Sequence, residues 1–368
     1  MSGWPEVELG EICEFKYGKS LPAEARDGGP FSVYGSNGVV GSHSAAITGA
    51  PVVIIGRKGS FGEIEYSTSP CWPIDTTYFV DSAATKTDLK WLSYRLRELG
   101  LTTLNRAAAI PGLNREDAYR QRLLLPPLDE QRRIAAILDQ AEALRAKRRE
   151  VLAHLESLTQ SIFHDMFDGR QTKTTLLGDV AEVVSGITKG RRTADPTQPF
   201  PYLAVANVQA GHLKLDTVKT IDATDSEVSR FALRTGDLVL TEGGDPDKLG
   251  RGTVWRGEIK TCLHQNHVFR VRLNRDSQVV PEYLSAFLAG REAKGYFLRS
   301  AKQTTGIASI NMTQLKGLSI VVPPLIDQSR YIERITRVNS CISRAKESVT
   351  IHDRLFSALQ SRAFRGDL

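Results

Sequence analysis

The stretch that decides the architecture is residues 126–169, PPLDEQRRIAAILDQAEALRAKRREVLAHLESLTQSIFHDMFDG. Its apolar residues recur at alternating intervals of three and four, which is the heptad spacing of a coiled-coil helix. Two prolines precede the run and suit a helix start, whereas Gly169 suits a helix end. The pattern predicts one amphipathic helix of about 39 residues, roughly 58 Å long at about 1.5 Å per residue.

A second stretch of the same kind closes the chain, with Pro323, Pro324 and Gln328 repeating the first prolines and Gln131 at an offset of 197 positions. Arg148 interrupts the first seam and His352 the second. Neither helix can bury its seam alone, so we expect the two to pair, and copies related by a two-fold axis would pair antiparallel. The predicted seam residues are Ile134, Ile137, Leu144, Val151, Leu155, Leu158, Ile335, Ile342, Val349, Phe356 and Leu359.

The repeat extends upstream of the helices. Asn114 matches Asn311 at the offset of 197, and the Leu-Gly-Glu run at Leu9 matches the Leu-Gly-Asp run at Leu177 at an offset of 168, so the second copy carries 29 more residues. A duplicated unit organises the whole chain. The predicted segments are a first globular domain at 1–127, a first helix at 128–168, a second globular domain at 169–324 and a second helix at 325–368.

The globular segments combine strand and helix patterns. Short branched and aromatic runs such as 52–55, 77–80, 238–240 and 268–271 are separated by Gly, Asp and Pro, which is typical of strands joined by polar loops. The spacing around 89–99 is helical instead. We therefore expect an α+β protein with two similar globular domains, separated by a long antiparallel two-helix coiled coil in a pseudo-two-fold repeat.

Composition excludes several classes of protein. The 368 residues are 41% apolar and 24% charged, which is ordinary globular chemistry and not that of a collagen or a disordered chain. No apolar run approaches the roughly 20 residues of a spanning helix, so we expect a cytoplasmic protein with no membrane partner. The four cysteines lack Cys-x-x-Cys spacing, so we expect buried thiols and no metal site.

The order of these motifs resembles the specificity subunit of Type I restriction-modification enzymes. The resemblance rests on the opening Trp4 with Leu9-Gly10-Glu11-Ile12, the GRKGSFG loop at 56–62, the Pro-Pro-Leu-x-x-Gln runs and the duplicated helices. It implies a subunit without chemistry of its own, in which each globular domain reads one half of a split double-stranded DNA target.

The resemblance also implies partners. In that family the helices act as a ruler and dock two adenine-N6 methyltransferase subunits, and motor-nuclease subunits join for cleavage. It implies no cofactor on this chain, with S-adenosylmethionine and ATP bound by partner subunits. The chain lacks the phosphate-binding Gly-x-x-x-x-Gly-Lys-Ser/Thr loop and the Asn-Pro-Pro-Tyr type of methyltransferase motif.

Glycine-rich basic loops are the best candidates for contacts with DNA, because phosphates need cations and base edges need Arg, Lys, Asn, Gln, Ser or Thr. The second globular domain holds 21 basic and 15 acidic residues, whereas the first holds 13 and 14. A near-neutral first domain indicates either that partner subunits supply much of the affinity for DNA or that the domain carries a basic face while its net charge stays near zero. The candidates are Asn37, Arg57, Lys58, Ser60, Arg106, Lys189, Arg191, Arg192, Lys248, Arg251, Gln303 and Thr304.

Two other functions stay open on the sequence. Asp247, Glu258 and Lys260 have the outline of a metal-dependent endonuclease site, although Asp247 equally suits a turn. A protein adaptor that binds no DNA is the other. His264 and His267 lack a third ligand and are expected to lie on opposite faces of a strand, so they do not predict a metal site.

Overall fold

The computed structural model describes residues 3–104, 112–169, 173–245, 249–304 and 307–368, and leaves out the side chains of 303, 304 and 307. The chain divides into two compact units. The first unit is Met1–Val151 with Ala345–Leu368, and the second unit is Leu152–Arg344. Both boundaries fall inside long helices, so each unit contains one half of each helix, a division that differs from the four consecutive segments expected from the sequence.

The first unit contains three small sheets. Its strands are β1 (Glu6–Glu8), β2 (Lys16–Tyr17), β3 (Phe31–Gly35), β4 (Gly38–His43), β5 (Val52–Gly56), β6 (Ile64–Ser67), β7 (Cys71–Pro73), β8 (Thr77–Val80) and β9 (Arg122–Leu124). Its helices are α1 (Leu9–Ile12), α2 (Leu89–Glu98), α3 (Arg115–Tyr119), the first half of α4 (Leu128–Phe167) and, from the end of the chain, the second half of α10 (Leu325–Arg365). The sheets have strand orders β1-β9, β2-β8-β5-β6 and β4-β3-β7.

The second unit repeats this plan. Its strands are β10 (Lys173–Leu176), β11 (Ala181–Ser185), β12 (Gln198–Leu203), β13 (Lys219–Ala223), β14 (Leu238–Thr241), β15 (Gly243–Gly244), β16 (Gly252–Val254), β17 (Leu263–His264), β18 (Val268–Leu273), β19 (Lys302–Thr304), β20 (Ile307–Ser309) and β21 (Ser319–Val322). Its helices are the second half of α4, α5 (Leu177–Val180), α6 (Asp225–Phe231), α7 (Pro281–Ala289), α8 (Arg291–Ser300), α9 (Met312–Lys316) and the first half of α10 (Leu325–Arg365).

The sheet topologies of the two units correspond strand by strand. The order β11-β18-β14-β16 repeats β2-β8-β5-β6, and β13-β12-β17 repeats β4-β3-β7, with the β12–β17 and β3–β7 pairs both parallel. The second unit has a three-stranded sheet, β15-β20-β19, at the place where the described residues of the first unit form a bridge between Lys58 and Gly112. The predicted α+β class and the internal repeat are confirmed.

Each unit has its own main apolar core, to which both long helices contribute. In the first unit Ile134 and Leu138 of α4 and Phe364 of α10 are buried with Trp91 of α2. In the second unit Phe163 and Phe167 of α4 lie 5.5 and 5.6 Å, ring centre to ring centre, from Tyr331 of α10. The start of one helix therefore packs beside the end of the other within each unit, which confirms the predicted antiparallel pairing.

The seam of α10 follows the predicted heptad, whereas that of α4 does not. Ile335, Ile342, Val349, Phe356 and Leu359 are half-buried, and Ile137 and Leu155 are half-buried on α4. Leu144, Val151 and Leu158 are instead 56, 50 and 41% exposed. The prediction is wrong for these three residues.

The α4 seam is displaced by one residue at every second position. Arg145, Leu152 and Thr159 lie inward where 144, 151 and 158 were expected to, and Leu138 is more deeply buried than the half-buried Ile137. Packing at the helix ends accounts for this rotation, because Leu138 belongs to the core of the first unit and Phe163 to that of the second. Fixing both ends fixes the face that α4 presents between them.

The repeated polar residues hold equivalent local structures together. Gln131 is 4% exposed and Gln328 is fully buried. The Gln131 amide donates to the carbonyl of Pro126 at 2.8 Å and accepts from the amide of Asp88 at 2.8 Å. Gln328 makes the same pair of bonds in the second unit, to Pro323 and from Val280. Each glutamine therefore ties the segment before a long helix to a shorter helix of the same unit.

Three of the four cysteines are buried and Cys341 on α10 is exposed, so the expectation of four buried thiols is wrong for Cys341. Among the helices that the structure describes, none carries an apolar run long enough to cross a membrane.

Candidate nucleic-acid interface

The glycine-rich loop of the first unit projects from the hairpin between β5 and β6. Gly56 donates its N–H to the carbonyl of Glu63 at 2.8 Å, and Gly62 donates to the carbonyl of Gly56 at 2.8 Å, which closes the base of the loop. Gly62 has a φ of 76°, and a Cβ there would lie 2.4 Å from the amide nitrogen of Thr102. Only glycine fits this position, and the loop that it permits leaves Lys58 and Ser60 exposed to solvent.

The turn between β3 and β4 adjoins this loop. A Cβ on Gly56 would lie 2.9 Å from the carbonyl oxygen of Ser36, whose hydroxyl donates to the carbonyl of Thr76 at 2.6 Å. Asn37 is exposed at the tip of that turn. The structure therefore brings Asn37 into the neighbourhood of the basic loop, as the sequence candidates require. Arg106 lies outside the described residues.

Arg57 lies at the base of the loop between two tyrosine rings. Its Nη2 donates to the carbonyl of Asp75 at 2.8 Å, and its guanidinium carbon lies 5.2 Å from the ring centre of Tyr17 and 5.8 Å from that of Tyr78. The Arg115 guanidinium lies 5.5 Å from the Tyr17 ring. Burial and the neighbouring Tyr17 raise the pKa of Tyr78, so its phenol stays neutral. Tyr17 is 53% exposed and carries two cations on its ring.

Tyr17 and Arg115 were not among the residues expected from the sequence. Exposed aromatic rings can stack on bases and arginines bind phosphates, so the pair adds the two elements that the loop lacks. Arg115 opens α3 directly after Asn114, whose side chain accepts from the amide of Glu116 at 2.8 Å. The repeated asparagine was a usable signal for Arg115. Tyr17 had no local signal, since about 40 residues of chain separate it from Arg57.

The first basic loop of the second unit, residues 189–192, carries two exposed cations and one that is ion-paired. Lys189 and Arg192 are exposed. The Arg191 guanidinium bonds to both carboxylate oxygens of Glu227 and donates to the carbonyl of Asp222 at 2.8 Å. The hydrogen bonds from Arg191 lower the pKa of Glu227 to about 2. Arg191 therefore fixes the loop to α6, which differs from the free DNA contact expected of it.

The second basic loop follows β14 and occupies the same position in the fold as the Gly56–Gly62 loop of the first unit. The amide of Leu113 donates to the carbonyl of Arg57 at 2.9 Å, and the amide of Ile310 donates to that of Glu242 at 2.9 Å. Glu242 thus occupies the position of Arg57, and its carboxylate lies 2.7 Å from Nδ1 of His267. The two units place opposite charges at one structural position.

The remaining candidates of the second unit are only partly described. Arg251 is half-buried beside β14. Gln303 and Thr304 lie in β19, an edge strand of the added sheet, with backbone positions alone described. Lys248 lies outside the described residues.

The endonuclease cluster is likewise incomplete in the described part of the chain. Asp247 lies outside it, and the carboxylate of Glu258 accepts from the amide of Arg256 at 2.9 Å in an exposed turn. Lys260 is exposed. The residues that the structure describes include no group of three His, Cys, Asp or Glu side chains placed to hold a metal ion.

His264 and His267 do not converge. His264 is fully buried, burial lowers its pKa to about 4, and its Nδ1 lies 2.7 Å from the carbonyl of Val268. His267 is paired with Glu242 instead. The two imidazoles therefore have different partners, a backbone carbonyl for His264 and a carboxylate for His267.

Comparisons with known proteins fit this architecture. The model of the family described as Type I restriction modification DNA specificity domain matches residues 1–156. The EcoDI specificity subunit of Escherichia coli is 26% identical over 399 aligned residues, which cover 99% of this chain and 88% of that protein. The EcoKI specificity subunit of Escherichia coli strain K12 is 22% identical over 268 residues, covering 66% of this chain.

The solved structures agree in fold. The S subunit of a Type I restriction-modification system from M. genitalium superimposes with a TM-score of 0.59 at 14% identity, covering 98% of this chain and 96% of that one. A solved chain described under the structural basis of complex assembly of the type I R-M system superimposes with a TM-score of 0.62 at 16% identity. The match covers 100% of this chain and 99% of that one.

The duplicated sheets and the paired long helices are the fold that this chain shares with the solved S subunit. The chain is similar to the Type I restriction modification DNA specificity domain over residues 1–156, and to the EcoDI specificity subunit over 99% of its length. It spans 57% of the length of the EcoKI subunit.

Proposed function

We propose that this chain is the sequence-reading subunit of a Type I restriction-modification complex, and that each unit reads one half of a bipartite DNA target. The observation that carries the proposal is the pair of equivalent loops. One sheet topology occurs twice, and the same loop carries Arg57 in the first unit and Glu242 in the second. An arginine suits guanine O6 and N7, whereas a carboxylate accepts from the amine of cytosine, so the two loops suit different bases.

The long helices set the distance between the two half-sites. Both helices are continuous across the boundary between the units, α4 over 40 residues and α10 over 41. They dock two adenine-N6 methyltransferase subunits, and motor-nuclease subunits join the assembly for cleavage. The chain itself catalyses nothing and needs no cofactor, since S-adenosylmethionine and ATP bind the partner subunits. The complex recognises its target in the cytoplasm, on the host chromosome.

Mapping methylated adenines across the host genome tests the proposal. We expect one bipartite motif with a spacer of fixed length, and we expect it to vanish when the gene is deleted. A continuous motif, or an unchanged methylation map in the deletion strain, would contradict it.

The ruler role has its own test. We expect one heptad inserted after Ala153, with a matching heptad inserted after Glu347, to lengthen the spacer by about three base pairs, because seven residues rise about 10 Å. Seven residues inserted into the exposed loop at Asp195 are the control and should leave the spacer unchanged. Altered half-sites with the original spacer would contradict the ruler.

The endonuclease alternative is tested on the purified chain. We expect no Mg²⁺-dependent cleavage of duplex DNA, and no difference between the wild-type chain and Glu258→Gln. Cleavage that Glu258→Gln abolishes would replace the proposal by a nuclease.

A further inference from the structure

A cavity of about 230 Å³ lies in the second unit between the loop before β16 and helices α7 and α8. Leu240, Leu288 and Ala289 line its apolar wall. Its polar lining includes Gln209, Ser285 and two cations, Arg251 and Lys294. None of the lining residues that the structure describes is acidic. The cavity therefore combines positive charge with neutral hydrogen-bond donors, the chemistry that binds a phosphate group.

Arg251 is fixed in this cavity by its backbone. Its carbonyl accepts from the amide of Thr241 at 2.9 Å. Gly250 has a φ of 64°, and a Cβ on it would lie 2.6 Å from the Phe297 ring; a Cβ on Gly252 would lie 2.2 Å from the carbonyl oxygen of Val239. The two glycines let the chain pass closely between β14 and α8, so Arg251 is held in place before any ligand arrives.

The two cations have unused hydrogen-bonding capacity. Nε of Arg251 is buried and has no hydrogen-bond partner among the described residues, where neither Arg251 nor Lys294 forms an ion pair. A buried N–H without an acceptor is costly unless a ligand supplies one. Lys294 lies in the first half of α8 and remains exposed, so the cavity can be reached from solvent.

The cavity adjoins the loop that corresponds to the basic loop of the first unit. In the first unit the amide of Gly56 donates to the carbonyl of Glu63, and in the second unit the amide of Thr241 donates to the carbonyl of Arg251. Arg251 therefore occupies the position that Glu63 has in the first unit. The basic cavity is thus particular to the second unit, which also carries the excess of positive charge. A ligand bound at Arg251 would fix the base of a loop placed to contact DNA.

We propose that Arg251 and Lys294 bind one phosphate of the DNA backbone in this cavity and so position the second unit on its half-site. The proposal rests on the DNA-reading function above. A phosphate contact carries no sequence information, so it adds affinity and register while other side chains read the bases.

The test uses the full chain assembled with its methyltransferase partner and duplexes that carry the mapped target. We expect the Arg251→Gln, Lys294→Gln double variant to bind about tenfold more weakly, with the salt dependence of log K reduced by about one and the methylated sequence unchanged. Lys219→Gln is the matched control, since this exposed lysine lies on β13 of the same unit and outside the cavity. Arg251→Lys should retain most of the affinity.

A scan of the backbone locates the phosphate. Single neutral methylphosphonates are placed along the half-site of the second unit, and one position should weaken the wild-type complex yet leave the double variant unaffected. If every position affects both proteins equally, or if the double variant matches the wild type in affinity and salt dependence, the phosphate proposal is overturned.

Two further outcomes distinguish a failure of the phosphate proposal from a failure of the proposed DNA-reading function. If the double variant no longer assembles with the methyltransferase, and no single methylphosphonate weakens the wild-type complex, the cavity binds an acidic side chain of the partner and the proposal is overturned. A wild-type complex that shows no sequence preference at all would overturn the DNA-reading function itself.

Discussion

Asp353 of α10 accepts hydrogen bonds from two arginines of α4, from Nε of Arg145 at 2.9 Å and from Nη2 of Arg149 at 2.8 Å. The Arg145 guanidinium also lies 4.3 Å from the centre of the Phe356 ring. A charged side chain thus occupies a position that a heptad reserves for an apolar one. The aliphatic part of the Arg145 side chain covers apolar surface, and its guanidinium is both ion-paired and stacked on an aromatic ring. The packed helices therefore accommodate the charged residue.

We expect Arg145→Ala to lower the melting temperature by about 2–4 °C, because it removes the ion pair and the cover over Phe356 together. Arg149→Ala should have a smaller effect, since Arg149 is the more exposed of the two. A double-mutant cycle with Asp353→Ala, read by calorimetry, measures the coupling. Strict additivity of the Arg145 and Asp353 effects would show that the ion pair contributes nothing.

The displaced seam of α4 predicts which leucine matters. Leu138 is fully buried and Leu144 is 56% exposed. We expect Leu138→Ala to reduce the free energy of unfolding by about 2–5 kcal/mol, whereas Leu144→Ala should change it by no more than about 0.5 kcal/mol. Urea unfolding of the two variants compares these values. Equal losses of unfolding free energy in the two variants would support the seam expected from the sequence, in which Leu144 faces the other helix.

The two buried glutamines should behave alike. In Gln131→Leu the amide of Asp88 loses its acceptor and the carbonyl of Pro126 loses its donor, and each buried group left unpaired costs about 1–3 kcal/mol. Gln328→Leu removes the equivalent bonds in the second unit. Hydrogen exchange should show faster opening of the unit that carries the substitution. Loss of protection spread evenly over both units would argue against two independent ties.

The Arg191–Glu227 pair predicts a dependence of stability on acid. The pKa of Glu227 falls from an ordinary value of 4.5 to about 2, so the pair stabilises the protein fully above about pH 4.5 and loses its contribution as the pH falls towards 2. Water screens part of this attraction, so Glu227→Gln should cost up to about 1 kcal/mol at pH 7. Denaturation at several pH values should show the two proteins converging at low pH. A constant difference would contradict the assignment.

Much of the fold was readable from the sequence because its decisive pattern is local and occurs twice. The heptad of α10 has apolar residues at positions that the core accepts, such as Ile342 and Val349. The α4 pattern was ambiguous, since Leu144 and Arg145 are neighbours and periodicity favours the leucine. Core packing at the two ends of the helix decides that choice, and a heptad count contains no such information.

The candidate site was less readable for the same reason. Glycine-rich basic loops were visible as composition, and Lys58 and Asn37 are exposed in adjoining turns. Neither the pairing of Arg191 with Glu227 nor the contact of Arg57 with Tyr17 could be predicted, because contacts between residues distant in the chain are set by the fold. Charge alone does not separate a cation that binds a ligand from one that braces a loop.

The two-stranded ribbon of each unit has an evolutionary consequence. β1 pairs with β9 at Val7 and Leu123, and β10 pairs with β21 at Thr174 and Val321, so the polypeptide enters and leaves each globular body at neighbouring points just before a long helix. Whatever is inserted between those points can change in length or origin without moving the helix. On the proposed function, recombination between related genes at these ribbons would exchange one half-site of the target and leave the other half-site and the spacer intact.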